Sequence, residues 1–259
     1  MKARTCLAYA ALLVYLALPA SADPLGGPNA FPLTSDGSSD AMAHRRANRC
    51  QDRRLAPDDR IEACQSLLRR HLIEDGVLWI LTAAADEDKN DVAAAIDAYQ
   101  KAIDEGQQAE ALRRRAVLYA RTGQNDFAMA DADRLVQIDG ADASSYALRC
   151  VVRGMSANGL ADALADCDHA LSIAKDDKTV RDDRALTLLK MGRYDEAIAD
   201  CNAALGPEGK HPDSLYLRGV IERRKGDTAA ASADIAAALA SDSGVAERFA
   251  RFGLKAEAP

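Results

Sequence analysis

The chain has 259 residues, with 33 basic and 40 acidic side chains and a formal net charge of −7. Aromatic residues make up 5% of it and β-branched residues show no sustained alternation, which argues against a β-sheet core. An acidic chain without a concentrated basic stripe is a poor candidate for binding nucleic acid or an anionic membrane.

The first 22 residues have the features of a secretory signal peptide. Lys2 and Arg4 give a charged start, residues 7–18 are an unbroken apolar or small run, and small residues precede the expected cleavage after Ala22. A buried N-terminal helix is the alternative. Cleavage leaves 31 basic and 40 acidic residues, a net charge of −9. No later segment reaches the roughly 20 apolar residues of a membrane helix, so the mature chain is not expected to insert into a membrane.

Two segments precede the main part of the chain. Residues 23–40 are rich in Pro, Gly, Ser and Asp, which predicts a flexible linker. Residues 41–75 are predicted to form a helix hairpin that turns at Pro57. Cys50 and Cys64 each lie seven residues from Pro57, and equal distances from the turn of a hairpin place two side chains opposite each other. We expect a disulfide here; the alternative is two small buried apolar side chains.

Residues 76–240 repeat with a period of about 34 residues. An alanine recurs at intervals of 33, 35, 34 and 34 residues, each time a few positions after a turn residue. This is the period of a helix–turn–helix unit, which cannot bury its apolar face alone and stacks on copies of itself. The alanines are Ala95, Ala128, Ala163, Ala197 and Ala231, and the turn residues are Asn90, Gly123, Asn158-Gly159, Gly192 and Gly226.

Large apolar and small residues at fixed places in each unit resemble the tetratricopeptide repeat. The resemblance implies an all-α solenoid, in which five hairpins of a helix A and a helix B stack into a right-handed superhelix. The turn glycines are expected to supply the left-handed residue that ends helix A. The matching residues are Trp79, Ala83, Ala95, Tyr99 and Ala102; Leu112, Ala116, Tyr119, Ala128 and Leu135; Tyr146, Cys150, Ala163, Cys167 and Ala170; Ala185, Leu188, Tyr194, Ala197, Cys201 and Ala204; and Leu215, Gly219, Ala231, Ile235 and Ala238.

The last segment, residues 241–259, is predicted to be a capping helix and tail. Val245, Phe249 and Phe252 form its apolar stripe, and its charged side chains are expected to point outward. These charged residues are Glu247, Arg248 and Arg251.

A second cysteine pair lies inside the third repeat. Cys150 and Cys167 are symmetric about Asn158-Gly159, so they are candidates for a disulfide across that hairpin, with two small buried side chains as the alternative. Cys201 has no such mate, and we expect it to be packed in the interior.

An arginine on helix A and an aspartate on helix B recur together in four repeats. Each pair is almost symmetric about its turn, which predicts bidentate ion pairs that fix the helix register; a charged ladder facing a ligand is the alternative. Asp176-Asp177 and Asp182-Asp183 are interpreted as solvated helix starts. The predicted pairs are Arg115–Asp131, Arg149–Asp166, Arg184–Asp200 and Arg218–Asp234.

The resemblance also implies a peptide-binding groove lined by helix A residues. Relatives that grip a C-terminal carboxylate use Lys, Asn and Arg there, whereas this chain has mainly aliphatic residues, so we expect a peptide with apolar and some acidic side chains. The alternative is a stripe covered by the chain's own linker, its cap or a second copy. The predicted groove and rim residues are Ile80, Arg113, Val117, Arg121, Val151, Leu186, Lys190, Tyr216, Val220, Arg223 and Arg224.

Enzyme signatures are missing from the sequence. The histidines are scattered over different units without metal-ligand spacing, and no glycine-rich loop follows a strand, so we expect no catalytic residue, metal or cofactor. The prediction is a non-catalytic scaffold that binds a protein or extended peptide in the periplasm of a Gram-negative bacterium, where the bacterial assignment rests on the resemblance. A self-assembling envelope protein and, less favoured, an accessory subunit of an envelope enzyme are the alternatives.

Overall fold

A computed structural model describes residues 49–50, 52, 54–69, 75–155, 159–250 and 254. The predicted signal peptide, the predicted linker and Phe252 lie outside these ranges. The described chain divides into two units, which we call the N-terminal unit (up to Leu118) and the C-terminal unit (from Tyr119). The helices are α1 Pro57–Leu68, α2 Asp75–Asp88, α3 Val92–Asp104, α4 Gln108–Arg121, α5 Asn125–Ile138, α6 Ala143–Arg153, α7 Leu160–Ile173, α8 Lys178–Lys190, α9 Tyr194–Leu205, α10 Pro212–Lys225, α11 Thr228–Ser241 and α12 Val245–Ala250.

The described ranges contain helices and no strands, in agreement with the predicted all-α class. Helix pairs α2/α3, α6/α7, α8/α9 and α10/α11 are the hairpins of successive repeats, and each packs along its neighbour in sequence. None of the helices described is both long and apolar enough to cross a lipid bilayer.

The N-terminal unit begins with the cysteine-bearing segment. Pro57 is the first residue of α1, where its missing N–H removes no helical hydrogen bond, and two aspartates occupy the first turn. Cys50 and Cys64 form a disulfide with their Cα atoms 4.9 Å apart. Two ion pairs, Arg60–Asp88 and Asp58–Lys89, attach α1 to α2. The described part of this segment is therefore joined by a disulfide and attached to the first repeat by ion pairs; the hairpin over residues 41–75 stays a prediction.

The core of the N-terminal unit forms where α2 and α3 pack together. Ala83 and Ala95 are completely buried, so the two backbones approach closely at the predicted small positions. Tyr99 fills the adjacent space, and its hydroxyl donates to Glu87 Oε1 at 2.5 Å. This bond satisfies the one polar atom of a large buried side chain.

Small residues also set the distance between helices A and B in the C-terminal unit. A Cβ added to Gly219 on α10 would lie 2.8 Å from Ile235 Cγ1 and 3.0 Å from the Ala231 carbonyl on α11. Any larger side chain would force the two helices apart, which explains why this position holds Ala, Cys or Gly in every repeat.

The turns agree with the prediction except in the third repeat. Asn90, Gly123, Gly192 and Gly226 all have positive φ, as expected for the residue that ends helix A. Gly159 instead has φ −99°, so the expectation of a left-handed residue is wrong there. A Cβ on Gly159 would lie 2.7 Å from the Arg153 carbonyl, so glycine is required for close approach.

Successive A helices of the C-terminal unit are parallel and touch each other. Cys150 Sγ on α6 lies 3.8 Å from Thr187 Oγ1 on α8. One turn further along both helices, Lys190 Nζ donates to the Gly154 carbonyl at 2.6 Å. Equivalent turns of neighbouring repeats therefore lie side by side.

The described part of the cap is α12, Val245–Ala250. Val245 and Phe249 are buried as predicted, and the Phe249 ring lies 4.8 Å from that of Tyr216 on α10. Arg248 does not point outward, because it donates to Asp213 at 2.7 Å and to Asp242 at 2.6 Å. The cap is therefore held by ion pairs as well as by its apolar stripe.

Candidate functional site

The predicted groove residues of the C-terminal unit lie on equivalent turns of α6, α8 and α10. Val151, Leu186 and Val220 each follow the small position of their helix, and Tyr216 lies one turn before Val220. We call these four side chains the A face. All four are 2% exposed, so the A face is covered and does not form the open apolar groove expected from the sequence.

The cap accounts for the burial of part of the A face. Phe249 packs on Tyr216, which is the self-covering arrangement that the sequence left open. Packing an apolar side chain of the last repeat against a cap is more favourable in free energy than leaving it exposed to water.

The predicted groove residues of the N-terminal unit differ in exposure. Ile80 on α2 is buried in the core of that unit. Val117 and Arg113 on α4 are partly exposed, and Arg113 Nε lies 3.9 Å from Glu110 Oε2. The structure thus leaves Val117 as the one predicted aliphatic groove residue, within the described part of the chain, that reaches solvent.

The predicted basic rim is only partly available. Arg121 and Arg224 are exposed and Arg223 is partly exposed. Lys190 is largely desolvated, which lowers its pKa to about 8, and its ammonium group is bound to the Gly154 carbonyl. Lys190 therefore joins two repeats, and Arg121, Arg223 and Arg224 remain as the rim residues of the C-terminal unit.

The Arg–Asp pairs are present in three of the four predicted places. Arg184 donates from Nε and Nη2 to the two carboxylate oxygens of Asp200 at 2.8 and 2.6 Å, and Arg149–Asp166 and Arg218–Asp234 have the same bidentate form. The members of the Arg115–Asp131 pair belong to different units, and that pair stays a prediction.

Each of these arginines has a second partner that the sequence analysis missed. Arg184 Nη1 donates at 2.7 Å to Asp168, which lies on helix B of the preceding repeat. Arg149 and Arg218 make the same contact, to Asp133 at 3.2 Å and to Asn202 at 2.5 Å. All three partners lie 16 residues before their arginine, so the repeat register could have revealed them. One guanidinium thus fixes its own hairpin and the junction to the previous one, which supports the structural interpretation.

Asp182 and Asp183 are not solvated, and that interpretation of the sequence was wrong. Both lie in the middle of α8 and are buried, whereas Asp177 is the exposed N-cap residue that accepts from Thr179 N. The clue was the repeat register: the position of Asp183 is occupied by Leu148 in the third repeat and by Leu217 in the fifth.

A hydrogen-bonded group of three polar side chains accompanies the buried aspartates. Ser214 Oγ lies 2.6 Å from Asp182 Oδ2 and 2.9 Å from His211 Nδ1. The Ser214 backbone N–H also donates to His211 Nδ1, which caps α10. Ser214 is completely buried, so this group stabilises a helix start and has no access to a substrate.

The remaining candidate residues are the cysteines of the repeats and the potential metal ligands. Cys150 and Cys167 form a disulfide with Cα atoms 5.4 Å apart, and Cys201 is free and buried, with burial raising the pKa of its thiol. No group of three or more His, Cys, Asp or Glu side chains suited to a metal ion occurs in the described part of the chain.

One segment of the chain matches a known family profile. A family profile described as "Tetratricopeptide repeat" matches residues 182–206, which span most of α8 and all of α9. No protein of curated function matches the sequence.

Three solved structures resemble the chain. A tetratricopeptide repeat protein from Parabacteroides merdae has a TM-score of 0.63 at 16% identity, covering 81% of this chain and 87% of its own. A thermophilic tetratricopeptide repeat protein from Thermus thermophilus has 0.60 at 18% identity, covering 69% and 97%. A MamA protein has 0.51 at 18% identity, covering 67% and 94%. At these identities the likeness establishes a solenoid of stacked helix pairs.

Proposed function

We propose that the chain, whose fold is that of tetratricopeptide-repeat solenoids, is an exported, non-catalytic scaffold that binds a protein or an extended peptide along its A helices. The observation that carries the proposal is the register of α6, α8 and α10, which places Val151, Leu186 and Val220 on equivalent turns. Regularly spaced apolar positions with charged residues at their margin suit an extended segment with side chains at matching intervals.

Burial of the A face determines how binding would proceed. Val151 and Leu186 are covered, so an apolar ligand side chain reaches them only if the face opens. Arg121 and Arg224 are exposed, and Arg223 is partly exposed. We therefore propose that an acidic segment first meets the arginines, which raise the rate of encounter, and that apolar contacts form after the face opens.

Burial also determines the choice of variants. An aspartate in place of Val151 or Leu186 would be buried without a partner and would unfold the repeat, so loss of binding would carry no information. Arg223→Glu/Arg224→Glu changes an accessible surface instead. The matched control is Arg134→Glu/Lys175→Glu, which makes the same change of charge at exposed positions outside the A face.

The test uses synthetic peptides of mixed apolar and acidic residues, selected from a library for binding to the mature chain. We expect Arg223→Glu/Arg224→Glu to weaken binding by about tenfold or more, and the control by less than about twofold, since one charge contact corresponds to about 1 kcal/mol. Binding should also weaken at high salt. Equal affinity of both variants would exclude this face as the binding surface.

Self-assembly is the second candidate, favoured by the last repeat. Leu171 and Leu205 occupy the same position near the ends of α7 and α9, and both are buried, at 8% and 4% exposed. Leu239 holds that position on α11 but is 39% exposed. Light scattering decides: a dimer that Leu239→Glu dissociates supports self-assembly, and a monomer at all concentrations contradicts it.

Export is part of the proposal. Two disulfides in one chain are typical of an oxidising compartment such as the periplasm. N-terminal sequencing of the protein from the periplasmic fraction should give Asp23 as the first residue; a chain that keeps Met1 and stays in the cytosol would contradict export.

A further inference from the structure

Two adjacent carboxyl groups are buried in α8: Asp182 contacts Ser214 on α10, whereas Asp183 lies one turn before Thr187, which contacts Cys150 on α6. Asp182 is completely buried and Asp183 is 2% exposed, both in the middle of α8. Neither carboxylate oxygen of Asp183 has a hydrogen-bond partner within the described structure, and Asp182 Oδ1 also lacks one there. An ionised carboxylate in such a place is unfavourable, whereas a neutral carboxylic acid is tolerated.

The hydrogen bonds around Ser214 require an additional proton. Its single hydroxyl proton faces two acceptors, Asp182 Oδ2 at 2.6 Å and His211 Nδ1 at 2.9 Å. His211 Nδ1 accepts the Ser214 backbone N–H, so it carries a lone pair and not a proton. If Asp182 is protonated, it donates to Ser214 Oγ, Ser214 donates to His211, and every short contact has one donor.

Within the described part of the chain, the nearby arginines are paired with other carboxylates. Arg248 on α12 is bound to Asp213 and Asp242, and Arg184 is bound to Asp200 and Asp168. The charged and titratable groups that face the cluster are the N-cap residue Asp177 and Lys178 at the start of α8, Asp200 and Cys201 on α9, His211 and Asp213 on α10 and Arg248 on α12. Arg149 and Arg153 on α6 are bound to Asp166 on α7. The net effect of the near carboxylates is to favour proton uptake by the pair.

We propose that the contact between α8 and α10 is a proton-operated switch: Asp182, with the buried Asp183 beside it in α8, takes up a proton as the pH falls through neutrality, and the two repeats then hold together more tightly. Above neutrality, an ionised carboxylate in this contact favours local opening of the two helices, because only solvent can supply its missing hydrogen bonds. The switch is a property of the fold and is independent of the proposed ligand.

The electrostatics of the cluster support this direction. Burial raises the pKa of Asp182 to about 8, and burial together with the neighbouring Asp182 raises that of Asp183 well above its usual range. A raised folded-state pKa gives a contribution to stability that is complete below the unfolded pKa of about 3.9 and is lost as the pH rises through about 8. Burial lowers the pKa of His211, so its contribution to stability has the opposite pH dependence. That contribution is lost only as the pH falls below the unfolded pKa of about 6.5. The interval from about pH 8.5 to about 6.5 therefore isolates the aspartates.

The test is amide hydrogen exchange of the full mature chain across this interval, corrected for the intrinsic exchange rate. The equilibrium constant for opening of α8 and α10 should fall by at least about tenfold from about pH 8.5 to about 6.5. Protonation of Asp182 alone, with a pKa of about 8, would lower this constant by about 25-fold over the same interval. Asp182→Asn/Asp183→Asn, which keeps the shape but cannot titrate, should reduce the change to less than about twofold.

The control is Asp162→Asn/Asp176→Asn, which removes two exposed carboxylates of the same unit and should keep the pH dependence of the unaltered chain. If the double asparagine variant does not fold, the carboxyl carbon resonances of the unaltered chain give the answer: a titration near pH 8 supports the switch. Opening that is independent of pH, an asparagine variant as steep as the parent, or carboxyl groups that titrate below about pH 5 would overturn it.

Discussion

The third and fourth repeats are built on the same pattern and differ in what fills their interior. The third is closed by the Cys150–Cys167 disulfide, and Leu148 packs in its core. The fourth has Ala185 in place of the first cysteine and Asp183 in place of the leucine. A covalent link strengthens one repeat, and an unpartnered carboxyl group weakens its neighbour. In a solenoid, where each repeat contacts only the adjacent ones, stability can therefore vary locally without a change of fold.

Loss of the Cys150–Cys167 disulfide is the largest effect that we expect, and it would remove the covalent link that distinguishes the third repeat from the fourth. Cys150→Ala/Cys167→Ala releases a loop with a sequence separation of 17 residues, which lowers the free energy of unfolding by about 3 kcal/mol. Urea unfolding followed by circular dichroism measures the loss. Cys201→Ala, which removes the free buried thiol, should lose much less; equal losses would show that cavity formation, and not the cross-link, is responsible.

Removal of the paired arginine should have the second-largest effect, and it should destabilise the fourth repeat more than the third. In the third repeat Arg153 Nη1 also donates to Asp166 at 2.7 Å, whereas the second cation near Asp200, Arg181, lies 3.8 Å away. Arg184→Gln should therefore lower the free energy of unfolding by about 2–3 kcal/mol, and Arg149→Gln by about 1 kcal/mol. Equal losses in urea unfolding would mean that Arg153 does not substitute for Arg149.

Asp183→Leu should make the fourth repeat resemble the third. The change removes a buried carboxyl group without a partner, which raises the free energy of unfolding by about 2 kcal/mol at about pH 8. Thermal unfolding at this pH gives the result. Asp176→Leu, at an exposed position, is the control and should have little effect; destabilisation by Asp183→Leu would show that the site has no room for the larger side chain.

The smallest effect concerns the start of helix A. Asp177 accepts from Thr179 N at 2.9 Å and Val180 N at 3.1 Å, and Asp142 caps α6 in the third repeat with a bond from Ser144 N at 3.0 Å. Asp177→Ala and Asp142→Ala should each lower the free energy of unfolding by about 1 kcal/mol. Asp177→Asn, which keeps the acceptor oxygen, should recover most of that loss in the same assay.

What the sequence by itself determined lies within single hairpins. The period located the repeats, symmetry about a turn identified both cysteine pairs and the Arg–Asp partners, and a positive φ was expected correctly at Gly123, Gly192 and Gly226. Each of these inferences needs only the geometry of two antiparallel helices joined by a short turn, and that geometry is local in the chain.

Only the tertiary structure decided which side chains are covered. Leu186 was expected to face a groove and Asp182 to face water, yet both are buried, and Arg184 reaches across to the preceding repeat. Burial depends on what lies opposite a helix face, and several neighbours of α8 come from other repeats: α6 and α7 of the third and α10 of the fifth. A periodic pattern identifies a face of a helix, but the surface area removed from water is a property of the whole packed unit.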